Sequence, residues 1–507
     1  MYFAQHFVSL ELILLHRSSG VLMHLTSLPS PCGIGTMGKE AYRFADFLHQ
    51  AGQRYWQILP LGPTGFGDSP YQSFSSFAGN PYLIDLDLLA EEGLLLPEEY
   101  RSLDWGDDPS LVDFEKIYHN RFQVLRLAYE RGYLSHQDAL GQFIKEHSVW
   151  LFDYALFMAL KEHFQGACWQ DWPLEIRLRK PSAMRRYHDE LRDQVNFYMF
   201  LQYLFYRQWT ELRRYVNELG ISIIGDIPLY VALDSADAWA NPKVFWLDED
   251  GRPVCVAGCP PDYFSPTGQL WGNPLYDWEY LRHTGYKWWL GRLSGALRFY
   301  DVVRIDHFRG FEAYYSIPYG SATAEHGEWR KGPDFSFFRA VKRRLGSNLS
   351  VIAEDLGLIT PEVRALLEKT GFPGMKVLEF AFDSDESNPY LPHNYTRNCV
   401  AYVGTHDNDT LRGWAATCGP WILQNATDYL NLTEKEGLNF GMIRGVMSSV
   451  ADLAIVQMQD YLDLDTSARM NAPSQVGGNW QWRMLPDAIP ADLAPRIRAM
   501  TQRYGRL

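Results

Sequence analysis

Three segments of the chain each end an apolar run with an acidic side chain. They are VRIDHFRG around Asp306, AEDLG around Glu354 and THDND around Asp407. Paired carboxyl groups can break a glycosidic bond, because one protonates the leaving oxygen while the other attacks or stabilises the sugar cation. Arg304, two residues before Asp306, is expected to lower the pKa of that carboxyl and keep it ionised. His406, directly before Asp407, is suited to donate to a sugar hydroxyl. The pattern predicts a catalytic site for sugars.

Each of these residues also has a simpler explanation when it is taken alone. An aspartate after a strand is usually a helix cap or a hydrogen-bond acceptor of a loop, and Arg304 with Asp306 is typical of a structural ion pair. THDND has the residue types of a metal site, but no second ligand cluster such as HExxH accompanies it. A fourth apolar run ends in Asp226. The joint pattern of carboxylates at separate run ends favours a catalytic site, and we expect no metal or cofactor.

Eight short apolar runs provide the elements that would position these groups. Near-continuous apolar runs are typical of strands that are buried on both faces of a parallel sheet. The runs are VLMHLTSLPS (21–30), YWQILPLGP (55–63), ISIIGDIPLY (221–230), YDVVRIDHFRG (300–310), LSVIAEDLG (349–357), MKVLEFAF (375–382), CVAYVGTHDND (399–409) and LAIVQMQDYL (453–462).

The segment after Glu354 predicts a complete β–α–β unit. Thr360 suits a helix N-cap, Pro361 suits the first helical position and Gly371 suits the residue after the helix. The run at 375–382 follows at once as the next strand. Such crossovers imply parallel strands.

Eight strands with helical crossovers predict an α/β fold of the (β/α)8 TIM-barrel type. Asp306, Glu354 and Asp407 then end strands four, five and seven, at the face where barrel enzymes place their catalytic groups. Side chains alternate along a strand, so Arg304 and Asp306 share a face. A doubly wound open sheet is the structural alternative.

The spacing of the strands predicts insertions in the barrel. Residues 64–220 and 231–299 are each too long for one loop, so we expect inserted subdomains, the first of them helical. Residues 17–507 would form the catalytic barrel, without a C-terminal β-sandwich domain. Residues 1–16 would be an N-terminal extension, since they lack the basic region and cleavage site of a signal peptide. We therefore expect a cytoplasmic protein.

Composition excludes some classes of partner. The chain has 47 basic and 61 acidic residues and a net charge of −14, which argues against nucleic acid. No apolar run reaches the ~18 residues of a membrane helix. The 17 Trp, 30 Tyr and 28 Phe supply either core residues or flat platforms for a ligand.

Long ungapped segments from about residue 17 to the C-terminus resemble the amylomaltase family, the 4-α-glucanotransferases or disproportionating enzymes of the α-amylase clan. The segments are TSLPSPCGIGTMG (26–38), YWQILPLGPTGFGDSPYQSFSSFAGNPYLIDL (55–86), GDIPLYVALDSADAWA (225–240), VAGCPPDYFSPTGQLWGNPLY (256–276), VRIDHFRGFEAYY (303–315), AEDLGLITPEVRALL (353–367), GFPGMKVLEFAF (371–382), GTHDNDTLRGW (404–414) and GGNWQWR (477–483).

The resemblance implies a role for each candidate residue. Asp306 would be the nucleophile, Glu354 the general acid/base and Asp407 the stabiliser of the transition state, in a retaining double displacement that transfers α-1,4-glucan segments. Its expected substrates are maltooligosaccharides, amylose, starch or glycogen. The implied substrate-binding residues are Arg304, His406, Asp226, Ser69, Tyr71, Tyr263, Trp271 and Asn273.

Two other functions stay open at this point. A retaining α-1,4-glucan hydrolase would use the same three carboxylates, and a non-catalytic glucan-binding protein could keep the barrel. A nucleotide-sugar synthase is remote, because the chain has no glycine-rich phosphate loop at a strand–helix junction. For a retaining enzyme, we expect the carboxyl groups of Asp306 and Glu354 to lie roughly 5–5.5 Å apart.

Overall fold

The computed structural model describes residues 17–65, 67–261, 265–473, 475 and 477–507. The strands of the described residues are β1 (Ser18–Leu22), β2 (Tyr55–Gln57), β3 (Ser222–Ile227), β4 (Cys255–Cys259), β5 (Gln269–Pro274), β6 (Val302–Ile305), β7 (Ala313–Pro318), β8 (Glu328–Lys331), β9 (Val351–Ala353), β10 (Gly374–Val377), β11 (Cys399–Tyr402) and β12 (Leu453–Gln457).

The α-helices of the described residues lie mostly between the strands. They are α1 (Lys39–Gln50), α2 (Leu86–Glu91), α3 (Glu98–Arg101), α4 (Phe114–Gly132), α5 (Gln137–Glu146), α6 (Leu151–His163), α7 (Leu174–Arg177), α8 (Pro181–Glu190), α9 (Arg192–Glu218), α10 (Ala236–Ala240), α11 (Trp278–His283), α12 (Lys287–Phe299), α13 (Phe335–Leu345), α14 (Pro361–Thr370), α15 (Leu411–Thr417), α16 (Pro420–Leu430), α17 (Leu438–Ser448), α18 (Met458–Tyr461) and α19 (Leu493–Arg503).

Eight parallel strands form the central barrel. Their order is β10-β11-β12-β1-β2-β3-β6-β9, and every strand pair in it is parallel. The two outer strands of this order, β9 and β10, meet where the backbone N–H of Ala353 at the end of β9 donates to the carbonyl of Pro373, directly before β10, at 3.0 Å. The predicted (β/α)8 fold is confirmed, and the open-sheet alternative is wrong because the two outer strands meet.

All eight predicted runs overlap a barrel strand, but their boundaries shift. The first strand begins at Ser18 and ends at Leu22, whereas the apolar run was expected at 21–30. Ser18 and Ser19 are buried although they are polar, so hydrophobicity places the start of this strand too late. The run at 453–462 ends as a strand at Gln457 and continues as helix α18.

The predicted β–α–β unit is present from β9 to β10. The hydroxyl of Thr360 accepts a hydrogen bond from the Val363 N–H, and Pro361 begins helix α14. Gly371 ends the helix in the left-handed region with φ 75°, which glycine adopts without strain. The next connection, from β10 to β11, differs from the expected helical crossover because residues 378–398 form only short 3-10 turns.

Helices α2 to α9 lie between β2 and β3, and the longest of them supports the loop that follows β2. Helix α9 buries aromatic and aliphatic residues on several faces, which is typical of an interior helix. The Gln202 amide on this helix both donates to and accepts from the backbone of Gly79 at 2.8 Å. Because both bonds are buried, this contact fixes the loop against the helical insertion.

A second sheet, which the apolar pattern did not predict, is formed by segments that lie between the barrel strands β3 and β9 in the sequence. It is antiparallel with the order β5-β4-β7-β8. Strand β7 follows the catalytic segment after β6, and β5 carries Trp271 and Asn273. The segment between β3 and β6 and the segment between β6 and β9 are thereby joined in one sheet.

We find no helix in the described part of the chain that has both the length and the apolar character needed to cross a membrane.

Candidate active site

The three candidate carboxylates follow three barrel strands at the same end of the barrel. Asp306 comes directly after β6, Glu354 directly after β9, and Asp407 five residues after β11. Strands β6 and β9 are neighbours, and Ile305 pairs with Ala353 in their register. Asp306 and Glu354 therefore extend two adjacent strands by one residue each. The backbone N–H of Glu354 donates to the carbonyl of Ile305 at 3.0 Å, which fixes this register.

Arg304 joins two of the acidic groups from below the rim. It is 2% exposed, and its guanidinium binds the Asp226 carboxylate through Nη1 and lies 3.1 Å from Asp306 Oδ1 through Nη2. Burial raises the pKa of Asp306 above its usual range, and the Arg304 charge opposes that rise. Asp306 keeps 29% of its side chain exposed, so its carboxylate faces the barrel mouth.

Backbone donors hold both oxygens of Glu354. The N–H of His307 donates to Oε2 at 2.7 Å, and the N–H of Leu356 donates to Oε1 at 2.8 Å. His307 adopts φ 51°, and this left-handed turn directly after Asp306 gives its N–H to the neighbouring strand end. Burial raises the pKa of Glu354 to about 7, against the Arg304 charge and these two donors. A carboxyl group with this pKa can both give and take a proton near neutral pH.

Asp407 has 43% of its side chain accessible, compared with 29% for Asp306. The Asn471 amide donates to its Oδ1 at 2.7 Å, and His406 Nε2 lies 3.4 Å from the same oxygen. The Arg469 guanidinium donates to the backbone carbonyl of Asp407 at 2.8 Å. These contacts hold the carboxylate while it remains open to a ligand.

Tyr71 connects the loop after β2 to this group. Its hydroxyl donates to Asp226 Oδ2 at 2.7 Å, and its ring stacks on His406 at 5.2 Å between centroids, with 10° between the planes. His406 is 3% exposed, and burial lowers its pKa, so the ring is neutral at neutral pH. Asp226 is 1% exposed and contacts Arg304 and Tyr71. In this structure Asp226 therefore lies behind the site rather than on its surface.

The remaining predicted binding residues are placed differently from one another. Trp271 is partly exposed and meets the His307 ring edge-on at 4.9 Å. Asn273 is 5% exposed, and its amide binds the Val231 carbonyl at 2.8 Å and exchanges longer contacts with the Gln72 amide. Ser69 is partly buried, and its hydroxyl accepts from the N–H of Tyr71. The prediction for Tyr263, together with the neighbouring Phe264, lies outside the described residues.

Two residues of the site could not be identified from the sequence. Asn471 contacts Asp407 from 64 positions away along the chain, and no motif marks it. His307 lies inside the quoted VRIDHFRG segment, but its contribution is a backbone N–H in a left-handed conformation. Hydrophobic periodicity and residue type carry no signal for either contact.

The closed barrel and its acidic rim define a carbohydrate-active barrel enzyme. A family model described as 4-alpha-glucanotransferase matches residues 23–488. The chain is 51% identical to the 4-alpha-glucanotransferase of Clostridium butyricum over 486 residues, which cover 96% of this chain and 100% of that protein. It is 48% identical to the Thermus thermophilus 4-alpha-glucanotransferase, with 97% and 100% coverage. The chain belongs to the 4-alpha-glucanotransferase family and is an enzyme of that activity.

A solved structure of the family has the same overall fold. The amylomaltase of Streptococcus agalactiae in complex with acarbose superposes with a TM-score of 0.95 and 43% sequence identity, covering 97% of this chain and 99% of that one. The amylomaltase of Corynebacterium glutamicum, at 21% identity and a TM-score of 0.77, shares the fold. The family and fold expected from the sequence are therefore confirmed.

Proposed function

We propose that this enzyme transfers α-1,4-glucan segments by a retaining double displacement. Asp306 attacks the anomeric carbon while Glu354 protonates the departing glycosidic oxygen, and a covalent glucosyl-enzyme forms with inverted configuration. Glu354 then takes the proton from the 4-hydroxyl of an acceptor sugar, which attacks the same carbon and inverts it again. Asp407 stabilises the positive charge that develops on the sugar in both steps.

One observation carries this proposal: Asp306 and Glu354 extend two adjacent paired strands by one residue each. Neighbouring strands in a sheet lie about 4.8 Å apart. Carboxyls on such positions are compatible with the retaining separation of roughly 5–5.5 Å, which is shorter than the separation in inverting enzymes.

The contacts of the pair support the assignment of acid and nucleophile. Arg304 lies 3.1 Å from Asp306, and this charge favours the ionised carboxylate that must attack. Glu354 has a pKa of about 7, so it holds a proton in a large fraction of molecules at neutral pH. We therefore assign the proton of the starting state to Glu354, because the Arg304 guanidinium contacts the Asp306 carboxylate.

We propose that the glucan lies between the Tyr71 and Trp271 rings. Both rings are partly exposed. Tyr71 contacts His406, which precedes Asp407, and Trp271 contacts His307, which follows Asp306. The Streptococcus agalactiae relative was solved with acarbose, which supports α-glucan substrates for this chain. Since Asp226 and Asn273 are buried, we assign them to holding Arg304, Tyr71 and the loop after β2 rather than to sugar contact.

Transfer requires that an acceptor sugar competes with water for the glucosyl-enzyme. Residues that hold the acceptor turn its attack into an effectively intramolecular reaction. The 256–276 segment, which carries Tyr263 and Trp271, is our candidate for closing over the groove.

We also propose the domain organisation, the nature of the N-terminal segment and the location of the enzyme. Residues 17–507 form the barrel with insertions at about 64–220 and 231–299, residues 1–16 are an extension, and the enzyme acts in the cytoplasm without a cofactor, nucleic acid or membrane partner.

Size-resolved products from pure maltotriose test the transfer. We expect glucose together with a ladder of longer maltooligosaccharides, because each transferred segment lengthens an acceptor. Accumulation of reducing ends without longer products would instead favour the α-1,4-glucan hydrolase. Asp306→Asn is expected to abolish both products, and activity that survives this change would exclude Asp306 as the nucleophile.

The covalent intermediate has its own test. Glu354→Gln supplied with α-maltotriosyl fluoride, whose leaving group needs no acid, is expected to gain the mass of one maltotriosyl group. Asp306→Asn/Glu354→Gln is the matched control and should gain none. Equal labelling of the two variants would contradict attack by Asp306.

A further inference from the structure

Arg309 is a charged residue of the VRIDHFRG segment to which the proposed reaction gives no role. It lies three positions after Asp306, in a short 3-10 turn that spans Phe308–Phe311. Its side chain is buried, with 6% of the residue exposed. Burying a charged group is costly unless contacts inside the protein replace its water. The contacts that Arg309 makes therefore indicate what it does.

The Arg309 guanidinium connects the two catalytic segments. Its Nη1 donates to the backbone carbonyl of Leu358, in the loop that follows Glu354 (residues 355–359). Its Cζ lies 3.9 Å from the centroid of the Trp329 ring, on strand β8 of the antiparallel sheet. Planar guanidinium groups stack on aromatic faces in this way. Arg309 therefore joins the turn after Asp306 to the loop after Glu354, and the antiparallel sheet packs against this connection.

The loop after Glu354 has little other support from the backbone. Among the described residues, no backbone–backbone hydrogen bond reaches positions 356–359. Leu358 is 59% exposed, and no described atom lies within 4 Å of the place where a Cβ on Gly357 would be. The hydrogen bond from Arg309 thus holds a part of the loop that has few contacts of its own.

The two segments that Arg309 joins both bind the carboxyl group of Glu354. The turn supplies the His307 N–H to Oε2, and the loop supplies the Leu356 N–H to Oε1. The Phe308 N–H also donates to the backbone carbonyl of Glu354 at 3.0 Å. Because Arg309 joins the turn to the loop, it fixes the distance between the two donors and hence the direction of the carboxyl group that they hold.

We propose that Arg309 is a positioning residue, which joins the segments on either side of Glu354 and so directs this carboxyl group at the departing glycosidic oxygen. The proposal rests on the proposed role of Glu354 as general acid/base. Without Arg309, the loop can carry the Leu356 N–H away from Oε1, and the carboxyl group loses its fixed direction. Proton transfer is sensitive to such a displacement, because the acid must lie within hydrogen-bond distance of the oxygen that it protonates.

Two donor substrates separate this role from a general loss of structure. The leaving group of maltotriose needs a proton, whereas the fluoride of α-maltotriosyl fluoride leaves without an acid. Arg309→Met keeps a long side chain against Trp329 but removes the hydrogen-bond donor. It should lower kcat/KM by about 10- to 100-fold on maltotriose and by less than about 3-fold on the fluoride, measured by fluoride release. Equal losses on both donors would overturn the proposal, as would an unchanged kcat/KM on maltotriose in the folded variant.

Arg330→Met is the matched control for Arg309→Met. Arg330 follows Trp329 on β8, and its Cζ lies 4.4 Å from the Trp246 ring centroid. Its ion pair is with Glu328, and the described residues give it no hydrogen bond to either catalytic segment. Arg330→Met should leave kcat/KM unchanged on both donors. A donor-selective loss as large as that of Arg309→Met would overturn the proposal, because any change on this strand would then produce it.

Glu354→Gln distinguishes failure of this proposal from failure of the proposed function. A loss on maltotriose with fluoride release retained is the result expected for a general acid. Equal losses on both donors in Glu354→Gln would remove the general acid and the positioning role together. A donor-selective loss in Glu354→Gln beside equal losses in Arg309→Met would remove only the positioning role.

Hydrogen–deuterium exchange measures the hold on the loop without relying on activity. Backbone amides of residues 355–359 should exchange faster in Arg309→Met than in wild type, whereas those of strand β9 should keep their rates. Unchanged exchange in this loop would overturn the proposal.

Trp329→Leu decides the outcome if Arg309→Met does not fold. Trp329 is 42% exposed, so its replacement disturbs the core little, but it removes the ring that stacks on the guanidinium. This variant should lower kcat/KM on maltotriose by about 3- to 10-fold while fluoride release is retained. The absence of a donor-selective loss in Trp329→Leu would then overturn the proposal.

Discussion

Replacing Glu354 with glutamine should make the stability of the enzyme less sensitive to a rise in pH towards neutrality. The pKa of Glu354 rises from 4.5 to about 7 in the folded protein, and at 1.36 kcal/mol per pKa unit this corresponds to about 3 kcal/mol. A carboxyl whose pKa is raised on folding contributes stability that is full below its unfolded pKa and is lost as the pH rises through its folded pKa. Wild type should therefore lose about 3 kcal/mol between about pH 4.5 and pH 7 through this group.

The glutamine variant does not titrate at this position, but it has a constant cost. Both oxygens of Glu354 accept a backbone N–H, from His307 and from Leu356, and the glutamine NH2 must face one of these donors. This mismatch destabilises the variant by roughly 1–3 kcal/mol at any pH. At low pH the variant should be the less stable protein, and its disadvantage should shrink or reverse as the pH rises. Removing the Glu354 charge also removes one of the causes that raise the pKa of Asp306, which reduces the pH dependence of stability further.

Urea unfolding at pH 5, 6, 7 and 8 measures this difference. Asp460 is another buried carboxyl with a raised pKa, but Glu354 is not among the causes of that rise, so its titration should cancel in the comparison. Glu362→Gln is a surface control, because Glu362 is exposed on the first turn of α14. A difference between Glu354→Gln and wild type that stays constant from pH 5 to 8 would refute the reasoning. Transfer activity should be lost in the variant throughout, because the general acid is absent.

Three further changes probe the contacts of the site. Arg304→Met should lower the free energy of unfolding by about 3–5 kcal/mol, because Asp226 becomes a buried charge without its partner, and Arg304→Met/Asp226→Asn should recover most of that loss in a urea titration. Asn471→Ala should lower kcat on maltotriose by about 10-fold or more, since it frees the Asp407 carboxylate; an unchanged kcat would contradict the holding role. Tyr71→Phe removes a hydrogen bond to a buried carboxylate and should destabilise the enzyme by roughly 1.5–3 kcal/mol in the same titration.

Local rules explain why much of the barrel could be predicted from the sequence. Thr360, Pro361 and Gly371 act within one helix, so residue type alone indicates where α14 begins and ends. The strand ends at Asp306 and Glu354 were predictable because an apolar run stops where a parallel strand reaches the rim. Ser18 and Ser19 show the limit of this signal, because the barrel buries them for their place in the sheet and not for their hydrophobicity.

The parts of the site that escaped prediction depend on contacts between distant segments. The resemblance implied that Asp226 and Asn273 bind substrate, but only the packed structure reveals that both side chains are buried. Asn471 meets Asp407 because the chain returns to the barrel mouth after β12. The antiparallel sheet pairs β4 with β7, and Gly258 lies opposite Tyr315, which is 57 positions further along the chain. Such pairings have no local sequence signature.

The position of β1 between β2 and β12 has a consequence for how the chain is made. Ser18 pairs with Leu453, so one edge of the first strand waits for its neighbour until most of the polypeptide has left the ribosome. An unpaired strand edge invites pairing with other chains, and domains generally fold as units during synthesis. Truncated translation products of this enzyme should therefore need chaperone protection, whereas the completed chain can close its barrel and become resistant to aggregation.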